Sequence, residues 1–338
     1  MNAIVKELEL QYNYLNGEAI KTIYFGGGTP SLLSQKEFNL IFEKINSIHQ
    51  IEENAEITLE ANPDDLNLEK LKQLADSPIN RLSIGVQSFS EADLKFMNRA
   101  HNAKEAFDCI ANAKKIGFEN LTIDLIYGTP TMSDEQWEAN MNQAFEFDIP
   151  HLSCYCLTVE PNTALDHFVK KKKAKPVDEE QSARQFEQLI IQCEAEGYDH
   201  YEISNFGKPN WYSQHNSAYW LGEKYLGIGP AAHSFNGQSR QWNIAHNAKY
   251  IQELEKGTLL CEKENLSSES RYNEYVMTAL RTIWGIDLNK IGENFQSHFL
   301  KEIDSYLKSK HVKTSNQKYF LTRNGKLLAD KIAMDLFI

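Results

Sequence analysis

An α/β fold, built as an open, partial (β/α) barrel with a small α+β unit after it, is predicted by three observations. Short apolar runs alternate with amphipathic helical patterns from residue 3 to about residue 160. The runs recur every 25 to 40 residues, the spacing of βα units with right-handed crossovers. Beyond residue 262 the pattern changes to helix, helix, hairpin, helix.

Ile4, Leu8 and Leu15 fit an amphipathic opening helix. Strands are predicted at 22–25, 56–61, 81–86, 121–126 and 152–157, where β-branched and apolar residues cluster. Helices are predicted between them at 35–49, 68–76, 103–116 and 134–147. This arrangement gives five parallel strands. Polar or glycine residues follow each one: Gly26 to Thr29, Glu60-Ala61-Asn62-Pro63, Gln87-Ser88-Phe89, Asp124 with Tyr127-Gly128, and Thr158-Val159-Glu160. The C-terminal strand ends of a parallel barrel meet on one face, so the site is expected there.

The first of these ends, Gly26-Gly27-Gly28-Thr29-Pro30, is the most informative. Three residues without Cβ let backbone amides and carbonyls approach a ligand closely. Pro30 suits the first turn of the next helix. A tight turn with no ligand is the bland alternative.

After residue 165 the character shifts. Lys170 to Lys173 with Lys175 form a basic run that reads as a solvated linker. A helix fits 179–196. Residues 198–243 are dense in Tyr, Trp, Asn, Gly and His and read as short strands and functional loops. Helices at 270–284 and 295–308, a hairpin at 312–321 and a helix at 325–335 give a winged-helix-like end. The domains expected are a barrel at 1–165, a connecting region at 166–262 and the winged-helix-like unit at 263–338.

The 338 residues carry a net charge of −12, which disfavours nucleic acid and anionic membrane as partners. No apolar run of about 18 residues predicts a membrane span, and no basic-then-apolar leader opens the sequence. The cysteines are five and scattered, which fits reduced thiols in a cytoplasm. Cys154 and Cys156 would share a strand face, as a metal pair or as two small buried residues.

Six segments carry a resemblance: YFGGGTPSLL at 24–33, TLEANPDDL at 58–66, INRLSIGVQSF at 79–89, LKFMNRAH at 94–101, LTIDLIYGTP at 121–130 and LSCYCLTVEPNTAL at 152–165. In this order and spacing they resemble the coproporphyrinogen-oxidase-like branch of the radical S-adenosylmethionine (SAM) enzymes. The resemblance implies a TIM-like (β/α)6-type barrel. It also implies that Gly27, Gly28 and Thr29 hold the methionine amino end of SAM through backbone contacts. By the same likeness Glu60 is a cofactor-binding carboxylate, and Gln87, Arg99 and Asp124 match SAM-binding positions. Arg99 suits the SAM carboxylate, because guanidinium and carboxylate pair as a bidentate fork. An Arg99–Asp124 pair with a purely structural role is the alternative. Thr158 matches a backbone-contact position.

His215-Asn216-Ser217-Ala218-Tyr219-Trp220 has the pattern HNxxYW. It is similar to the haem-chaperone members of the branch, in which this pattern is associated with haem binding. A neutral imidazole can ligate haem iron, and Tyr219 and Trp220 offer flat apolar surface. His233, in GPAAHSF, is a second histidine candidate or a scaffold residue. The resemblance implies haem and haem-accepting proteins as partners. Oxygen-independent coproporphyrinogen III oxidase is the alternative function.

The family's chemistry needs a CxxxCxxC loop for a [4Fe-4S] cluster, whose electron cleaves SAM to a 5′-deoxyadenosyl radical. The sequence contains no such triad. The expectation is a chain short of its first strand and cluster loop, roughly 40 residues or one βα unit. Such a chain has no catalytic residue to assign and is expected to be inactive in radical chemistry. A rival is a natural relative without a cluster. A barrel lacking a strand exposes an edge, so self-association is expected. Light scattering across concentrations checks this, and a clean monomer throughout is the contrary result.

Overall fold

The computed structural model describes residues 1–338, the side chain of residue 164 apart. The first half alternates helix and strand: α1 (Asn2–Leu10), β1 (Ile20–Phe25), α2 (Gln35–Ile48), β2 (Ile51–Ala61), α3 (Leu68–Ala75), β3 (Arg81–Gln87), α4 (Glu91–Phe96), α5 (Ala103–Ile116), β4 (Leu121–Tyr127), α6 (Asp134–Glu146) and β5 (His151–Cys156). Then come α7 (Ala164–Lys170), α8 (Glu179–Ala195), β6 (Asp199–Glu202), β7 (Asn205–Gly207), α9 (Gln214–Trp220), β8 (His233–Phe235), β9 (Ser239–Asn243), α10 (Asn247–Glu255) and β10 (Cys261–Asn265). The last stretch is α11 (Ser268–Leu280), β11 (Ile286–Asp287), α12 (Glu293–Lys308), β12 (Val312–Ser315), β13 (Lys318–Leu321), α13 (Arg323–Lys326) and α14 (Ala329–Asp335).

Seven strands form one open sheet in the order β1-β2-β3-β4-β5-β7-β6, a half-barrel that does not close. The pairs from β2 to β5 are parallel, as the βα alternation predicts. β7 adds to β5 antiparallel, and β6 adds antiparallel to β7. Successive side chains on a strand point to opposite faces, so one apolar face needs apolar residues at every second position. Leu82, Ile84, Leu121, Ile123, Leu125 and Leu152 are all fully buried. The crossover helices start where the sequence says: Ser34 with Glu37, Asn102 with Glu105 and Ser133 with Gln136 form reciprocal capping boxes. Gly117, left-handed at φ 111°, ends α5.

Several expectations need correction. α1 closes at Leu10, and Leu15 is buried beyond it, in turns where Asn16 and Gly17 take positive φ. β2 begins at Ile51, since ladder hydrogen bonds extend it past its buried half. The closing helix is two pieces, α13 and α14. The segment expected as strands and loops contains a helix, α9, that carries HNxxYW.

The chain divides into two compact units. One comprises Met1–Thr22, Ser34–Ala55 and Gln214–Ile338; the other comprises Ile23–Leu33 and Glu56–Ser213. In the first unit, two three-stranded sheets, β10-β9-β8 and β11-β13-β12, accompany the helices. Glu7 of α1 is fully buried there. It accepts hydrogen bonds from Gln11 Nε2 (2.9 Å), Gly229 N (2.8 Å), Asn243 Nδ2 (2.6 Å) and the Tyr250 hydroxyl. Burial raises its carboxyl pKa against those donors. Four neutral donors satisfy a charge that would otherwise be costly to bury. No helix among the described residues is long and apolar enough to cross a membrane.

Candidate functional site

At the C-terminal ends of β1, β2 and β3 the chain folds polar groups over bare backbone. Tyr24 on β1 donates to Glu60 Oε1 (2.6 Å), and Gly27 N donates to Glu60 Oε2 (3.2 Å). Glu60 is thus fixed against the glycine loop. Gly26 is what permits it: a Cβ there would lie 2.8 Å from Glu60 Cδ and 2.6 Å from Tyr24 Cε1. Gly27 is held by conformation instead, at φ 77°, and open space surrounds both it and Gly28. Ser31 Oγ donates to Asp65 Oδ2 (2.7 Å), tying the glycine loop to the loop after β2. Thr29 precedes the short 3₁₀ turn Pro30–Leu32.

A second cluster lies over Gly85, in the middle of β3. A Cβ at Gly85 would meet Gln87 Nε2 at 3.0 Å, an Arg99 amine at 3.3 Å and Asn62 Oδ1 at 3.7 Å. Arg99 donates to Asn62 Oδ1 (2.7 Å) and to the Gly85 carbonyl (3.3 Å). Its buried Nε has no partner. Gln87 sits at a register shift between β3 and β4 with φ 67°, a left-handed backbone unusual for a non-glycine. The loop beyond it is locked by Ser88 on Asp93 (3.0 Å) and by Asn140 Oδ1 accepting from Phe89 N (2.7 Å).

Asp124, on β4, lies opposite Ser153 of β5, whose hydroxyl donates to Asn205 Oδ1 (2.9 Å), while Arg99 donates to Asn62 and Gly85. Burial, then the negative charge of Glu60, push its carboxyl up to about 7; Arg81, Ser153 and Arg99 pull the other way. Between the ordinary 3.8 and about 7 the folded state holds a proton that the unfolded chain has released. Stability from this group therefore falls as pH rises through that window. Asp124→Asn is expected to stabilise the fold above pH 7, by at most about 4 kcal/mol, and to change little below pH 4. Urea midpoints at pH 4 and pH 8 check this; equal shifts at both would count against it. Thr158, exposed after β5, donates to the Cys156 carbonyl (3.4 Å).

HNxxYW lies on α9. His215 and Tyr219 are four apart, as are Asn216 and Trp220, so each pair shares a side of the helix. His215 Nδ1 is 3.0 Å from Thr22 Oγ1. Tyr219 and Trp220 meet edge to face at 5.2 Å. His233 instead pairs with Trp242 across β8 and β9, the rings stacked at 6.2 Å.

Of the two cysteines on β5, Cys154 is buried beside Cys193 and Cys156 is exposed. Burial pushes the Cys154 thiol well above its ordinary range, which suits a packed apolar residue. Among the described residues, no three His, Cys, Asp or Glu side chains gather as a metal-holding group.

The structure thus joins Gly27 with Glu60, and Gln87 with Arg99. Tyr24, Gly85, Ser153 and Thr22 were not singled out by the sequence, and Gly26 and Asn62 were named only as parts of strand-end segments. Gly85 had a signal, a lone glycine inside a buried strand pattern, which marks close approach of other groups.

Residues 3–144 match the family model described as the Radical SAM superfamily. The heme chaperone HemW of Bacillus subtilis (strain 168) is 34% identical, with 98% of this chain and 89% of that protein covered. HemW of Lactococcus lactis subsp. lactis (strain IL1403) is 33% identical over 98% of this chain and 88% of its own length. Coproporphyrinogen III oxidase (HemN) from Escherichia coli, a radical SAM enzyme, has a similar fold: TM-score 0.83 at 23% identity, covering 99% of this chain and 82% of that one. A relative 34% identical over nearly the whole chain places it: the chain belongs to the heme chaperone HemW family of radical SAM proteins.

Proposed function

We propose that this chain binds haem at α9 and SAM at the strand ends, and passes haem to acceptor proteins. The observation that carries the haem reading is the clasp of Thr22 on His215. When Nδ1–H donates to Thr22, the neutral ring carries its lone pair on Nε2, the atom that can ligate iron. Tyr219 is exposed and Trp220 half-buried beside it, so the exposed Tyr219 ring offers an apolar face for a porphyrin and Trp220 buttresses its edge. Haem here is cargo. Asn216 shares the helix side of Trp220 and belongs to the same proposed site.

For SAM, the residues present fit the group. Gly27 and Gly28 leave open backbone, Glu60 offers a carboxylate for an ammonium, and the unsatisfied Arg99 Nε suits a carboxylate. Gln87, Asp124 and Thr158 complete the set proposed. SAM bound to a reduced [4Fe-4S] cluster supplies radical chemistry. What these residues do is narrower: they bind and orient the methionine end. Tyr24→Phe is expected to weaken SAM binding roughly tenfold, because Glu60 loses a charge-assisted bond that fixes it. Equilibrium dialysis with SAM reads this; an unchanged affinity would detach Tyr24 from the site.

A cytoplasmic place of action accords with five unpaired cysteines. The test of the whole reading is a haem titration followed by the Soret band, run beside an assay for conversion of coproporphyrinogen. Saturable haem binding that His215→Ala strongly weakens supports a chaperone. Conversion by a cluster-loaded protein would favour the oxidase.

A further inference from the structure

Gln87 is held in a strained backbone, and what holds it is buried. Its φ is 67°, and Ser88 N donates across it to the Val86 carbonyl (2.8 Å). A hydrogen bond from residue i+2 back to residue i over a positive φ is the rare, strained form of the γ-turn. A regular ladder from Ile84 opposite Ile123 would set Gln87 against Ile126; it stands against Leu125, one position short. Bulges of this kind re-aim a side chain. Gln87 Nε2 comes to 3.0 Å, and an Arg99 amine to 3.3 Å, from the point that a Cβ of Gly85 would occupy. Each of the two side chains keeps a donor unused. The Gln87 amide makes no hydrogen bond among the described residues, and Arg99 Nε is buried without one.

Backbone strain persists only where the surroundings over-determine it. Two buried side chains do so here. His101, 3% exposed, donates from Nε2 to the Val86 carbonyl (3.0 Å), the acceptor of the turn itself. Asp93 on α4 is wholly buried. Its Oδ2 accepts from the Ser88 hydroxyl (3.0 Å), and its Oδ1 accepts from the hydroxyls of Thr131 (2.6 Å) and Thr129 (3.4 Å). Hydroxyls alone hold this carboxylate, with no cation paired to it among the described residues. A carboxylate is a costly way to fill an interior. As a charged acceptor, however, it grips hydroxyls more tightly than a neutral group does. Its three donors come from the loops after β3 and β4. α4 also leads to Arg99, whose N donates to the carbonyl of Leu94, the residue next to Asp93 (2.9 Å). Asp93 is thus tied to Gln87 through Ser88 and to Arg99 through Leu94, and has no exposed surface of its own to offer a ligand.

We propose that Asp93 is a positioning residue of the SAM site: through Ser88 it holds the γ-turn that keeps the Gln87 amide beside the Arg99 guanidinium, where the two unused donors meet one carboxylate of the ligand. This deepens the SAM reading above and rests on it. No covalent step is involved.

The test is a coupling cycle read by equilibrium dialysis with SAM, with urea midpoints taken alongside. Asp93→Ala should weaken SAM binding about tenfold when Gln87 is present. In a Gln87→Ala background it should weaken binding by less than about twofold, because Asp93 acts through that side chain. Ser88→Ala cuts the same link with a smaller change and should show the same pattern, at roughly three- to fivefold with Gln87 present. A purely structural Asp93 would lower the urea midpoint in both backgrounds and show no such dependence on Gln87. Equal affinity loss with and without the Gln87 amide overturns the proposal, and so does an unchanged SAM affinity in Asp93→Ala. If Asp93→Ala does not fold, Ser88→Ala decides alone by the same two criteria. If the unaltered chain binds no SAM, or Arg99→Gln binds it as tightly, the SAM site itself fails and the proposal falls with it. Missing coupling in a chain whose SAM binding Arg99→Gln does weaken rejects the role of Asp93 and leaves the SAM site standing.

Discussion

Haem affinity is expected to drop more than about a hundredfold in His215→Ala, while Thr22→Val loses about tenfold. The two magnitudes follow from the two roles. His215 would give its lone pair to iron, so alanine removes the bond itself. Thr22 would only fix the tautomer and the ring angle through the 3.0 Å contact to Nδ1. Outer partners of metal-ligating histidines typically cost 10- to 100-fold when removed, roughly, and the ligand costs more. Valine keeps the shape and strand preference of threonine, so β1 should survive the change. Soret position adds a second readout. Loss of a histidine axial ligand shifts the band, whereas a ring merely loosened by Thr22→Val should broaden the titration and keep the spectrum. If Thr22→Val lost as much as His215→Ala, the hydroxyl would be acting on the ligand directly. If neither lost affinity, haem would bind elsewhere, with His233 on β8 as the next residue to change.

That prediction depends on a contact that the sequence could not announce. Thr22 and His215 are 193 residues apart, and nothing in spacing links them. The same holds for Asn62 with Arg99, which come from the loop after β2 and the loop after α4, and for Ser153 with Asn205, on β5 and β7. Which strand lies beside which, and in what register, decides such pairs. Other features were legible because their causes are local. α5 was read with both its ends correct, since Asn102, Glu105 and Gly117 are its own start and stop signals. β3 and β4 were legible because apolar residues recur at every second position, Leu82, Ile84 and Val86 on one and Leu121, Ile123 and Leu125 on the other. β6 and β7 escaped definition because strands of four and three residues carry too short a pattern. α9 was read as loop because none of its seven residues is buried, so it shows no apolar stripe. Glu7 looked like any surface glutamate; its donors Gly229, Asn243 and Tyr250 come from the far end of the chain. Glu60, Gln87, Arg99 and Asp124 were reached through resemblance, and the structure adds Tyr24 and Gly85 as the groups that let them converge.

Arg81→Leu is expected to cost about 3–5 kcal/mol of stability, the range for removing one partner of a buried ion pair. Arg81 opens β3 and is 2% exposed, and Glu56 on β2 is 3% exposed. Their closest charged atoms are 3.6 Å apart. Arg81 also bonds Thr122 on β4, Thr122 Oγ1 is 2.9 Å from His151 Nδ1 on β5, and His151 Nε2 is 2.7 Å from the Tyr201 hydroxyl on β6. One buried polar chain therefore crosses strands at their N-terminal ends, away from the ligand loops. In parallel barrels that end serves stability, which separates this effect from binding. Burial holds His151 neutral, with its pKa well below the ordinary value, and the Arg81 charge acts in the same direction. The loss in Arg81→Leu comes from leaving the Glu56 carboxylate in the interior without its guanidinium, and it exceeds the roughly 1 kcal/mol of a neutral hydrogen bond. Arg81→Leu with Glu56→Leu should therefore recover most of the stability, since two apolar groups need no partner. Urea unfolding of the single and double variants measures the coupling directly. A double variant no more stable than Arg81→Leu would place the cost in the Thr122–His151–Tyr201 chain instead of the ion pair. A secondary effect links this network to the candidate site: the Arg81 charge helps hold Asp124 down. In Arg81→Leu the pH at which Asp124 titrates should therefore rise above about 7, and the stability gain from Asp124→Asn should go on growing to correspondingly higher pH before it levels off.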